Sequence, residues 1–562
     1  MPQAYPAHSE DASKKRWERM TVSEKLAQYG QKCPSVSQRT FAKQNNIPRT
    51  NLQHWLNRYE ELCQESSAAV FFESPLGLEW LQRIYIAALF VLHMRAGGGI
   101  RLVCEFLHLS GLSAFVAASY GSVRKSIIAL EQAICKFGRE ERERLATNMP
   151  HRQLVLGQDE TFHPAICLVA LDLNSGFIFV ERYATDRTAQ TWNQVVQDGL
   201  KGLNVSVKSC VTDQARALVS HVEKGLGVHH SPDLFHIQQE LVKANSLALN
   251  SQLTRAEAVL EKASGQVQSL QEQKRRYLEN MGSRDPGRPP QFEQRIGRAQ
   301  EEEQRAKEQV HRAQERIETL RSARKDISGA YHPVNLQNGE LQDSGEIEAQ
   351  LNVSFERIEE VAREAELTKP SIKRIAKARR LQPKMLETIR FFFQMVVIGV
   401  TEMKLTPELE VVFYRDLLAG FYIEKVSKQQ SVAEERHRLK ELAEERLAQW
   451  RSRDGPGGQL EQDHRDELEV AAKSFVHLFA RASSATEGRN AHLERHHRSF
   501  HRLSERKLEA LTVIHNYHIQ REDSTTAAER FFGAPPQDLF EFLLQELAFP
   551  RRPAKRRPRR AS

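Results

Sequence analysis

The chain has 562 residues, too many for a single hydrophobic core, so several domains are expected. Charged residues make up 27% and hydrophobic residues 40%, a balance that suits a soluble, helix-rich protein. The formal net charge is +8, but the segment from Arg551 to Arg560 carries seven positive charges by itself. The body is therefore nearly neutral, and any charge that attracts a polyanion there must be local.

The six cysteines, Cys33, Cys63, Cys104, Cys135, Cys167 and Cys210, form no CxxC pair. That argues against a zinc ribbon and for reduced thiols in a cytosolic setting. The N-terminus lacks the charged-then-apolar pattern of a signal peptide, and the most apolar run, Ile84 to Met94, is too short to cross a bilayer. A cytoplasmic protein without a membrane partner is expected. The absence of a GxxxxGK[ST] segment argues against a P-loop ATPase.

Residues 1–16 are polar and read as disordered. A helical stretch follows from Thr21, and residues 37–58 read as a helix-turn-helix within an N-terminal unit, 1–62. Phe41 and Ala42 face inward, Asn45-Asn46 make the turn, Ile47 plugs it and Pro48 opens the second helix. Leu52, Trp55 and Leu56 give that helix an apolar stripe. Arg49, Thr50, Asn51, Gln53 and His54 are left on its outer face, where a recognition helix meets base edges and phosphates. The plainer reading is an ordinary helical hairpin. A second helical unit, 63–150, contains two further segments, 99–107 and 119–127, that fit another helix-turn-helix, so it reads as a DNA-binding or linker domain.

The periodicity changes at Gln153. Leu154-Val155-Leu156, Ala165–Asp172, Phe177–Tyr183, Val205–Val211 and Val228–His230 read as strands, the second and third joined by the turn Asn174-Ser175-Gly176. Helices are expected over Thr191–Leu203 and Ala215–Lys224. After residue 240 strands nearly vanish. Leu253–Asn280 and Phe292–Ile327 carry heptad-like apolar residues (Val259, Leu260, Val267, Leu270; Ile296, Val310, Ile317, Leu320) and read as an antiparallel coiled coil over 252–327. Its arms are roughly 45 Å long at 1.5 Å per residue. Gly282 to Pro290 breaks the two helices, and residues 345–480 read as helical with a second break at Asp454–Gly458.

Three acidic segments stand out against this background. Leu154–Phe162 carries Asp159, Cys210–Ala215 carries Asp213, and Ser483–Asn490 carries Glu487. The first two begin as apolar strands that end on an aspartate; the third begins a helix behind two serines that can cap it. Asn490 and Arg495 fall on roughly the face of Glu487. Glu529 in Thr525–Gly533 is the alternative third acid, although its neighbours Phe531 and Phe532 suit packing. Glu160 should point away from Asp159, being adjacent on a strand. For any one aspartate the plain alternative is a strand-end turn cap. His492, His496, His497 and His501 read as a solvated or phosphate-facing helix, because no cysteine or carboxylate pattern completes a zinc site.

The order of these segments resembles the bacterial insertion-sequence transposases of the DDE type, in which an RNase H-like core is interrupted by a large helical insertion. The matching residues are Asp159 in QDETF, Asp213 in VTDQARAL, Asp233 and His236 in PDLFH, and Glu487 in SSATEGRN. The Asp233-x-x-His236 pair is similar to the C/DxxH signature of transposases with such an insertion. The resemblance implies a mostly helical α+β chain whose catalytic core is split into 151–240 and 481–548 around an insertion at 241–480, with a disordered basic tail at 549–562. It implies that Asp159, Asp213 and Glu487 hold two Mg²⁺ ions, Mn²⁺ being able to substitute, with Asp233, His236 and Asn490 in support. The partners implied are double-stranded DNA, as terminal inverted repeats and target, and a second copy of the chain on paired ends, in a bacterial nucleoid. A domesticated DNA-binding protein with the same fold and no catalysis is the alternative; intact Asp159, Asp213 and Glu487 argue against it. A coiled-coil scaffold is disfavoured by the strand-rich block.

Overall fold

The computed structural model describes residues 17–33, 35–162, 165–280, 290–452, 454–500 and 502–554. The polar stretch 1–16, the helix break over 282–289, His501 and the tail from 555 onward lie outside the described residues. Five strands, β1 (Arg152–Phe162), β2 (Ile166–Asp172), β3 (Ile178–Ala184), β4 (Val205–Thr212) and β5 (His229–Pro232), form one mixed sheet in the order β3-β2-β1-β4-β5. β1 runs antiparallel to β2 and parallel to β4, and β4 is parallel to β5. The first and fourth strands are thus neighbours. Leu154, Val155 and Leu156 are at most 2% exposed, because the central strand is covered on both faces. Asp159, however, does not end its strand. It sits opposite Val169, and pairing continues to Phe162 opposite Ile166, since the β2 backbone offers partners for three more residues.

Before the sheet come α1 (Arg19–Lys32), α2 (Gln38–Gln44), α3 (Arg49–Glu65), α4 (Ala69–Phe72), α5 (Pro75–Ala88), α6 (Ile100–Leu109) and α7 (Tyr120–Ala146). Ser37 caps α2, and Asn46 takes φ 54° in the tight turn to α3, a conformation that asparagine tolerates better than most residues. Phe41, Ala42, Ile47 and Leu52 form the small core of this unit, with Trp17 edge-on to Trp55. α5 continues through π-helical turns to Arg95. The combined Pro75–Arg95 helix is long and apolar enough to cross a membrane, longer than its apolar sequence run suggests. Leu78, Leu81, Leu89, Phe90 and Met94 on it are instead buried in one core with α7, the sheet and the C-terminal helices. The segment 63–150 therefore shares its core with the sheet. α7, 27 residues long, turns Val123, Ile127, Leu130 and Ile134 inward.

Helices α8 (Ala189–Leu200) and α9 (Arg216–Ser220) flank β4. The long hairpin of α10 (Leu234–Glu279) and α11 (Phe292–Ala330) starts directly behind β5. Its seam differs from the heptad expectation. Val267, Leu270 and Ile296 are buried, but Val259 is exposed and Val310 only half-buried. Ala299, Ala306, Ala313, Leu320 and Ile327, spaced by seven, line the α11 side. The α11 side of the seam is thus built largely from alanine, and Val259 and Val310 lie off it. α12 (Ser344–Glu364), α13 (Lys369–Arg379), α14 (Gln382–Met403), α15 (Pro407–Val412), α16 (Ala419–Ser427), α17 (Ala433–Arg451) and α18 (Gln462–His477) follow and close a second core with the base of the hairpin. The chain then returns to the first core through α19 (Ser484–Phe500), α20 (Glu505–Tyr517), α21 (Ala527–Phe532) and α22 (Leu539–Glu546).

The start of the expected free tail is docked. Arg551 accepts at its carbonyl from Ala117 N (2.7 Å), and Pro553 O accepts from Arg58 (3.2 Å). Arg552 and Arg19 both pair with Glu73, a carboxylate whose side chain is 2% exposed. The sequence pattern of charges hid this, because Glu73 lies 479 residues from Arg552. Replacing Glu73 by alanine strands two guanidiniums in a largely buried place. We expect Glu73→Ala to destabilise the protein by about 3–5 kcal/mol, read by denaturant unfolding; a loss below about 1 kcal/mol refutes the idea that this carboxylate anchors the segment.

Candidate active site

β5 ends at Pro232, and Asp233 caps the helix that follows. Asp233 Oδ1 accepts from Phe235 N (2.8 Å), and its Oδ2 accepts from the Ser483 hydroxyl just ahead of α19. Asp233 N donates to Thr212 O (3.2 Å) at the end of β4, and Leu234 N donates to Arg481 O (2.8 Å). One residue, 2% exposed, thus ties β4, the start of α10 and the start of α19 together.

This tie places three side chains from remote parts of the chain around one point. Ligand atoms of Asp159, His236 and Glu487 all lie within 4.8 Å of one another. His236 Nε2 is 3.6 Å from Glu487 Oε1 and 3.9 Å from Asp233 Oδ2. Asp159 Oδ2 accepts from Asn490 Nδ2 (2.7 Å), and its Oδ1 accepts from Glu160 N (2.8 Å). Gly157, two residues before Asp159, has no side chain; a Cβ there would stand 2.6 Å from the Leu173 side chain and 3.2 Å from Thr486, so both Leu173 and α19 can lie close on β1.

The rotation of α19 about its axis is set from behind. Arg489 donates two hydrogen bonds to Glu181 on β3 (2.7 and 2.5 Å), and Thr512 of α20 donates a third (2.6 Å). The Arg489 guanidinium and its hydrogen bonds hold the fully buried Glu181 carboxyl below its usual range, against the cost of burial, which is the largest single influence. With α19 fixed this way, Glu487 and Asn490 face Asp159. The sequence reading missed Glu181, Arg489 and Arg481, and took Ser483 only as a helix cap. A charged residue in the middle of the β3 strand was the available signal.

Asp213 follows the last residue of β4, one strand away from Asp159. Its Oδ1 accepts from Ala215 N (2.8 Å), which makes it also the turn cap considered as the plain reading. Its charge reaches Asp159, but its oxygens stand outside the three-residue group. Glu160 points to the other face, as expected, where it accepts from Trp192 Nε1 (3.2 Å) and Arg187 (2.9 Å). Glu529 is at the far end of the sheet. Its neighbour Arg530 donates to Ser175 O (3.0 Å) in the β2–β3 turn, and Gly533 lies beside Arg152, where β1 begins. Of the α19 histidines, His496 and His497 are 2% and 6% exposed, which overturns a solvated helix there. The helix packs against the first core along this face, and burial pushes His496 down to about 3 and His492 to about 4. Arg49, Thr50, Gln53 and His54 are exposed and Asn51 half-exposed on α3, away from this group.

Burial pushes the Asp159 carboxyl up to about 7; the charges of Glu487 and Asp213 add to this, and the Glu160 N–H and His236 oppose it. Burial likewise raises Glu487. Two carboxylates and one imidazole from remote parts of the chain are thus held close together.

Comparison with known proteins adds one match. Residues 413–559 are similar to a family of unknown function, DUF6399. The match includes Glu487, Arg489 and Asn490 but neither Asp159 nor Asp213. No curated protein and no solved structure matches the chain.

An acid whose folded-state pKa is raised binds its proton more tightly when folded. From near 3.8 up to about 7, folding stability therefore falls as pH rises, by up to about 1.4 kcal/mol per pH unit, and then levels off. Asp159→Asn removes this titration, and Asn490 can turn its amide, whose Oδ1 has no partner, towards the new NH₂. In EDTA, Asp159→Asn should gain stability over the parent between pH 4 and 7 and keep a constant advantage above 7. Parallel unfolding curves across that range contradict the assignment.

Proposed function

We propose that this chain is a metal-dependent DNA transposase of the DDE type, with Asp159, Asp213 and Glu487 as its catalytic acids. The observation that carries the reading is the meeting of Asp159 on the central strand with Glu487 on a helix 328 positions later, beside the Asp213-bearing end of the parallel neighbour strand. The strand order supports an RNase H-like core, and the insertion between the second and third acids supports the insertion-bearing transposases.

The donor set fits Mg²⁺, a hard cation that takes carboxylate oxygens. Asp159, Asp213 and Glu487 are the residues that would hold the ions. When bound, such ions polarise the attacking oxygen, water or a 3′-hydroxyl, and stabilise the leaving 3′-oxygen. The protein's own part is positional. Asn490 holds Asp159 by one oxygen, Asp233 fixes both helix starts, and Arg489 fixes the face that α19 presents.

In the same reading α2 and α3 form a helix-turn-helix that binds the element's terminal inverted repeats. The exposed Arg49, Thr50, Gln53 and His54 and the half-exposed Asn51 support it. Two ends require two protomers, hence a homodimer on DNA, in the bacterial cytoplasm at the nucleoid. Cleavage of end DNA in Mg²⁺ should vanish in Asp159→Asn, Asp213→Asn and Glu487→Gln, with end binding retained, whereas Glu529→Gln keeps cleaving. A cleavage assay in which Glu487→Gln is active and a folded Glu529→Gln is dead reverses the choice of third acid.

A good base contact is worth about 1–3 kcal/mol, so Arg49→Ala or Asn51→Ala should weaken binding to element ends about tenfold or more, and to random duplex much less. Equal losses on both DNAs, measured by titration at fixed salt, would mean that α3 reads phosphates only.

A further inference from the structure

We infer that His236 is itself a metal ligand, completing with Asp159 and Glu487 a mixed nitrogen and oxygen site that favours Mn²⁺ over Mg²⁺. The inference rests on reading Asp159 and Glu487 as metal ligands and goes beyond it in donor and in ion.

Distances carry the argument. The 3.6 Å between His236 Nε2 and Glu487 Oε1 is too long for a hydrogen bond. It falls in the range of two donors on one ion: with bonds of about 2.1 Å, adjacent ligands stand roughly 3.0–3.4 Å apart and opposite ones about 4.2 Å. The whole group, within 4.8 Å, must draw together by about half an ångström or more to bind one ion, a movement that side-chain torsions supply.

The ring is also held ready. His236 lies in the first turn of α10 behind the Asp233 cap, and the Phe235 ring packs edge-on against it with centroids 5.7 Å apart. Asp233 cannot readily swing in as a rival ligand, since both of its oxygens are engaged with Phe235 N and Ser483. Asp233 therefore caps and positions, and His236 reaches the site.

The chemistry sets the selectivity. Mg²⁺ takes oxygen and resists giving up its water, whereas imidazole suits the first-row transition ions, whose affinity for nitrogen sites rises from Mn²⁺ onward. A site with two carboxylates and one imidazole should hold Mn²⁺ more tightly than one built from carboxylates alone. The rival account of the same geometry is a protonated His236 paired with Glu487 and no bond to metal.

The experiment is pulsed EPR on the full-length protein loaded with one equivalent of Mn²⁺, without DNA. Nitrogen-14 modulation from a directly bound imidazole is expected in the parent and absent in His236→Gln. Mn²⁺ affinity should fall about tenfold or more in His236→Gln, while the weaker affinity for Mg²⁺ changes little. If Mn²⁺ binding depends on Asp159 and Glu487 but the parent shows no nitrogen coupling, His236 is not a ligand, and the carboxylate site stands without it. If Mn²⁺ binding is indifferent to both Asp159→Asn and Glu487→Gln, the metal reading of the site fails, and this inference with it. The parent spectrum decides the ligand question even should a variant fold poorly.

Discussion

The structure depends on how the two ends of its insertion are fastened. The chain leaves the sheet at Asp233 and returns at Ser483, and one buried carboxylate binds both places. The backbone bond from Leu234 N to Arg481 O doubles the tie. Between these points lies a helical body with its own core. A body folded around its own apolar interior has no reason to deliver its exit beside its entrance. Joining two points so distant in sequence costs chain entropy, which local bonds at the junction must offset. Without that junction α19 would have no fixed start, and Glu487 no defined place near Asp159.

The second constraint acts across α19. Successive residues on a helix are turned by about 100°, so Arg489 points well away from Glu487, while Asn490 returns towards it. Arg489 reaches through to Glu181 and Thr512, a charged group satisfied inside the fold. A lone buried glutamate would be costly, and a lone buried arginine equally so. Each therefore specifies the other's position, and the pair sets which face α19 shows to β1. Glycine at 157 then lets that face come close.

These devices bring like charges together, the reverse of what stability alone would favour. Burial of Asp159, with the charges of Glu487 and Asp213 beside it, holds its proton into the neutral range. Strong perturbation of this kind clusters at functional sites. The N-terminal helices are fastened as well. Glu73 gathers Arg19 and Arg552, and the chain terminus thus braces the unit that carries α3. Both the candidate DNA-reading helix and the acid cluster are built on parts of the chain held by remote residues.

Much of this was legible in the sequence, and for a physical reason: alternation and periodicity report burial, and burial is local information. The five strands, their order along the chain, the coiled-coil hairpin and the helix pair with its Asn46 turn all follow from apolar spacing and turn residues. Asp159, Asp213 and Glu487 could be singled out because strand ends and capped helix starts leave recognisable neighbours. The meeting of Asp159 with Glu487 and His236 could not be read so directly. That Asp159 lies inside its strand was decided by how far β2 continues beside it. The docking of Arg551–Pro553, the alanine seam of α11 and the burial of His496 were decided by contacts between segments far apart in the chain. So were the partners of Asp233 and Arg489, since a side chain's charge says that it needs a partner but not where in the chain the partner is. The sequence alone determined which elements form and which residues stand out as candidates; only the tertiary structure decided which of them meet, because that depends on packing and pairing summed over the whole fold.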